Sequence, residues 1–80
     1  MNLSETIITR LQKSHKPKDK YYIQRVYTFH GVETIKDCKD DYNLGMFFYL
    51  QMIDTFDKDY KGYVILFKNK LQNEVIRVNL

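Results

Sequence analysis

Cys38 is the single cysteine and His15 and His30 are the two histidines, so a thiol–imidazole pair is the first chemistry to weigh. A nucleophilic cysteine needs its thiolate stabilised by a cation or a helix N-terminus. Asp37 and Asp40 lie beside Cys38 in the chain and disfavour a thiolate by like charge, so a packed, inert thiol is expected. Structural zinc sites use paired ligands at spacings such as C-x-x-C or H-x-x-x-H, and neither occurs. No metal or other cofactor is therefore expected.

The acids form the next group. Asp37, Asp40 and Asp41, with Asp57 and Asp59 further on, read either as solvated loop edges or as an acidic docking patch. Carboxylate catalysis needs two acids whose surroundings separate their pKa values, and nothing near these residues marks one as buried. Asp57-Lys58-Asp59-Tyr60-Lys61-Gly62-Tyr63-Val64 resembles the start of an EF-hand calcium loop, with acids first and third, glycine sixth and an apolar residue eighth. Lys61 and Lys68 then stand where an oxygen ligand and the bidentate carboxylate belong, so a polar turn with Gly62 at positive φ is expected. The three glycines form none of the phosphate-cradling or nucleophile-elbow motifs, and catalysis is not expected.

Lys13, Lys16, Lys18, Lys20 and Arg25 are the candidate nucleic-acid contacts. Tyr21, Arg25, Tyr27 and Phe29 alternate onto one side of a strand, where bases could stack beside those cations. The same side carries Ile23 and is wanted for the core, and the packing reading is the stronger for Ile23, Tyr27 and Phe29. A net charge of +3 is modest for a nucleic-acid binder.

The elements that would carry these residues fit in one domain, residues 1–80. Seven Tyr and five Phe supply aromatic bulk to a core that has no Trp. No apolar run approaches the ~20 residues of a membrane span, and no secretory signal is visible, so a cytoplasmic protein is expected. Leu3, Ile7, Ile8 and Leu11 predict an amphipathic helix over 3–14, capped by Asn2 or Ser4 and ended by Pro17. Alternation over Tyr21–His30 predicts a strand, and Gly31 permits a sharp turn. Val32–Cys38 pairs back as a second strand or, by the spacing of Val32, Ile35, Cys38 and Tyr42, forms a helix. Gly45–Phe56 is core in either form; its Leu, Met and Gln, with Asn43 as N-cap, favour helix. Tyr63–Phe67 and Glu74–Val78 predict an antiparallel hairpin.

The expected fold is α+β, an antiparallel sheet of three to five strands with one or two helices packed on one face. Abundant Lys, Asn, Ile and Tyr with no alanine point to an AT-rich genome, as in a low-GC bacterium and the phages and mobile elements it carries. Small size, missing chemistry and many tyrosines favour a non-enzymatic binding protein that occupies a surface of a larger host protein, as an anti-host-defence inhibitor would. A DNA- or RNA-binding accessory role through the basic N-terminal third is the alternative. Exposed strand edges could also pair two copies into a homodimer.

Overall fold

The computed structural model describes residues 3–29 and 31–80, and only the backbone of Leu3, Val32 and Glu33. Helix α1 spans Leu3–Ser14, with Glu5 in its first turn and Lys13 in its last, as the helix dipole favours. Its Ile7 and Leu11, one turn apart, are buried. Ser4 lies inside the helix and does not cap it, and the alternative cap Asn2 falls outside the described residues.

Beyond Pro17 the loop 15–20 is organised around buried Asp19. Its carboxylate accepts from the Lys16 N–H at 2.9 Å and from the Asn69 amide at 3.2 Å, and it pairs with Lys68 at 3.2 Å. Burial alone would raise the Asp19 pKa, but the hydrogen bonds from Lys16, Asn69 and Lys68 outweigh it and hold the group below its ordinary value. Lys68 also donates to the Ser14 carbonyl, tying the end of α1 to the sheet.

Strand β1 (Tyr21–Tyr27) pairs antiparallel with β2 (Gly31–Lys39), and Gly31 adopts φ +77° at the turn between them. Pairing along β2 resolves the 32–38 ambiguity in favour of strand. Helix α2 spans Tyr42–Asp54, in keeping with the composition of 45–56. Its N-cap is Asp41, whose carboxylate accepts from the Leu44 N–H at 3.0 Å; Asn43, the expected cap, is already helical. Strands β3 (Gly62–Lys68) and β4 (Glu74–Asn79) form the expected hairpin.

The sheet order is β2-β1-β3-β4 with every neighbour antiparallel, an α+β domain of two helices and four strands. The chain thus runs helix–strand–strand twice, and the two halves meet where β1 lies against β3, with Gln24 opposite Ile65. Both helices lie on one face: Ile7 and Leu11 of α1 and Tyr49 and Met52 of α2 pack with Tyr21, Ile23, Tyr27, Val64, Leu66 and Ile76. Tyr49 is completely buried, and its hydroxyl donates toward the Ile76 carbonyl at 2.9 Å and the Val64 carbonyl at 3.2 Å. By strand alternation Tyr22, Val26, Tyr63, Ile65 and Phe67 occupy the opposite face, where the Arg77 guanidinium lies 4.4 Å from the Tyr63 ring centre.

Gly62 corrects one expectation. Gly31 is the glycine with positive φ; at Gly62 the need is space, since a Cβ there would stand 1.9 Å from the Val26 carbonyl oxygen of β1. Glycine is required by close approach of two backbones.

Candidate interaction surface

The acidic residues are divided between two ends of the sheet. Asp37, Asp40 and Asp41 lie where β2 ends and α2 begins, whereas Asp57 and Asp59 lie in the loop that leads from α2 into β3. The length of β1 separates the ends, about 20 Å at ~3.3 Å per residue. Several have local duties. Asp37 accepts from the Lys39 N–H, Asp41 caps α2, and Asp57 accepts from the Asp59 N–H. Asp40 and Asp59 are exposed.

Lys13, Lys16, Lys18 and Lys20 are exposed near the first of these ends. Arg25 is not with them. It sits mid-strand under α2, donates to the Thr55 hydroxyl at 3.2 Å, and lies 5.9 Å from the Tyr27 ring centre. Lys20 and Lys39 share a shallow depression of about 340 Å³ with Tyr22, Asp37 and Asp40, so acids interrupt the positive surface that a phosphate backbone would follow. Tyr21 and Tyr27 are buried under the helices and offer no ring to a base, as the packing reading required. Phe29 departs from that reading: it stands 88% exposed in the β1–β2 turn, past the end of β1.

Cys38 is buried, and burial pushes its thiol pKa up; Lys36 opposes this while Asp37 and Asp41 add to it. His15 turns toward two tyrosines. Its Nδ1 lies 2.5 Å from the Tyr21 hydroxyl, and its ring centre is 4.5 Å from that of Tyr42. Burial pushes the Tyr21 hydroxyl up to about 12, with Asp19 and Tyr42 reinforcing it. The Tyr42 hydroxyl is buried without a hydrogen-bond partner among the described residues. His30, the other candidate base, falls outside the described residues. Among those residues no three His, Cys, Asp or Glu gather as a metal site, and no helix is long and apolar enough to cross a membrane.

The outer side of α2 carries what sequence reasoning misses. Hydrophobicity predicts core throughout 45–56, yet Phe47 is 58% exposed, and Leu44 just before it is also exposed. Asp54 is the only charged residue in the 13 of this helix. A surface helix ordinarily turns a polar face to water; among Asn43, Gln51 and Asp54, α2 also exposes Leu44 and Phe47 and part of Leu50. Its largely apolar circumference is the available signal, because a small two-layer domain can bury only one side of such a helix.

Two open troughs meet along this side. One, of about 390 Å³, is lined by Ser4 of α1 with Phe47, Leu50, Gln51 and Asp54. The other, of about 320 Å³, continues past Asp54 along Ile53, Phe56, Lys58, Tyr60 and Leu80. Tyr27 holds the second in shape: its hydroxyl accepts from the Asp57 N–H at 3.1 Å, and its ring packs 4.6 Å from Phe56 and 5.5 Å from Tyr60, centre to centre. Comparison with known protein families, curated proteins and solved structures finds no match to this chain.

Proposed function

We propose that this chain is a non-enzymatic binding protein that acts by occupying a surface of a larger protein, with the outer side of α2 as its contact. The observation that carries the proposal is the exposed apolar face of that helix, Leu44 and Phe47, in a segment with a single charge. Partly desolvated aromatic anchors within a polar rim are the usual source of interface affinity. The AT-rich composition adds a setting: a cytoplasmic factor of a low-GC bacterium's phage or mobile element, acting as an inhibitor of host defence.

The test places a photo-crosslinking phenylalanine analogue at position 47, with a control at exposed Lys16, in cells of a low-GC host. One larger protein captured from position 47 and not from position 16 is the expected result. Capture of nothing, or equal capture from both positions, counts against the proposal.

A further inference from the structure

We infer that the trough along α2 takes an amphipathic segment of the partner protein, apolar where it enters and carrying Lys or Arg where it passes Asp54. The inference rests on the proposed function and names the chemistry of the partner's contact. Its shape argument is continuity. Phe47, Leu50, Gln51 and Asp54 recur at helical spacing and cover about 10 Å of α2 at 1.5 Å per residue. Asp54 borders both troughs, so they adjoin there, with Phe47 and Leu50 lining one and Ile53, Phe56 and Tyr60 lining the other. A long, open trough with such a lining suits a helix presenting residues at i, i+3, i+4 and i+7.

Charge selects the occupant. Asp54 stands in the last turn of α2, where the helix carbonyls already make the potential negative and a carboxylate is unfavourable. Arg25 reaches Thr55 at this end from the sheet side, while Asp54 borders the troughs. Among the described residues Asp54 has no hydrogen-bond or ion-pair partner. Lys58 lines only the second trough, whereas Asp54 borders both, so where the segment crosses from one to the other the lining charge is a carboxylate, which favours a cation there and disfavours an anion.

The experiment uses three synthetic amphipathic helical peptides with one Leu/Ile face, differing at one central flanking position that holds Lys, Gln or Glu. Each is titrated into the full chain by fluorescence anisotropy. The expected order is Lys tightest and Glu weakest, about fivefold apart, the scale of one exposed ion pair. Asp54→Lys should reverse the order, and because a cation suits a helix C-terminus this variant should fold, as circular dichroism would verify. Phe47→Ser should weaken all three about tenfold.

Absence of saturable binding by every peptide up to about 1 mM, the threshold of measurable affinity in this assay, overturns the inference. So does an order that Asp54→Lys leaves unchanged, or sedimentation showing that Phe47→Ser abolishes a dimer, which would make a second copy the occupant. A position-47 crosslink to a larger protein, with peptides indifferent to charge, removes this inference and leaves the proposed function standing. Peptides binding in the expected order with no crosslinked protein remove the proposed function, and with it a partner protein's segment as the occupant, and leave only the trough's preference for a cationic amphipathic helix.

Discussion

Replacing Tyr49 by Phe removes one oxygen from the centre of the core and leaves the ring in place. That oxygen links α2 to the backbones of β3 and β4, at 3.2 Å to Val64 and 2.9 Å to Ile76. A hydroxyl has one proton, so the loss amounts to one buried hydrogen bond, about 1 kcal/mol net. For a chain of 80 residues that lowers Tm by about 4–8 °C. Tyr49→Ala would also open a cavity and cost about 3–5 kcal/mol, a large part of the roughly 4–12 kcal/mol total stability of such a domain. Thermal and urea unfolding followed by far-UV circular dichroism measures both. Alkali provides a second arm. Burial pushes the Tyr49 hydroxyl well above its ordinary 10.0, so the folded state holds a proton that the unfolded state releases. Stability from this source is full below pH ~10 and falls as pH rises beyond it, and Tyr49→Phe should flatten that fall. A Tyr49→Phe variant as stable as the parent, with an unchanged alkaline slope, would refute the assignment of Tyr49 as a buried donor.

Gly62→Ala forces a Cβ to within 1.9 Å of the Val26 carbonyl oxygen and should cost about 3 kcal/mol or more, whereas a mere positive-φ requirement would cost less. Equilibrium unfolding distinguishes the two. Asp19→Asn removes the partner of Lys68 and should destabilise by about 1–3 kcal/mol. Because Asp19 titrates below its ordinary 3.8 when folded, its contribution is present above that pH and lost as pH falls through the lower folded value; the variant's acid slope should be shallower there. Replacing Lys16, Lys18 and Lys20 together by Gln should leave partner crosslinking from position 47 unchanged. If nucleic acid is the partner instead, the same change weakens binding to all sequences and reduces the log–log salt slope by about one per lost contact.

Local pattern is enough for α1 and for the strands β1, β3 and β4, because their periods of 3.6 and 2 are written in contiguous residues. Between strand and helix for 32–38 the two periods coincide, and only pairing with β1 decides. The cap of α2 shifts from Asn43 to Asp41 because either side chain can accept an N–H, and a two-residue difference leaves no mark on the apolar pattern. The role of Gly62 is hidden from the sequence because the atom that forbids its side chain belongs to Val26, on another strand. Phe47 and Phe29 read as core because hydrophobicity states a preference for burial but not how many layers the fold provides. The acids, in turn, are grouped by composition but divided by the chain's path.

The repeated helix–strand–strand order has a consequence for how the chain finds its fold. Each half owns a hairpin, β1–β2 or β3–β4, whose contacts close over short loops and can form early at little entropic cost. The seam between β1 and β3 spans the boundary of the halves and can form only after the intervening β2 and α2 have folded back, so the transition state is expected to consist of two preformed hairpins meeting. On that view, φ-values should be highest within the turns and intermediate at Ile23 and Leu66, which face each other across the seam. A nick between Asp40 and Asp41 would then leave two fragments able to recombine into the native sheet, the polypeptide link serving concentration rather than architecture.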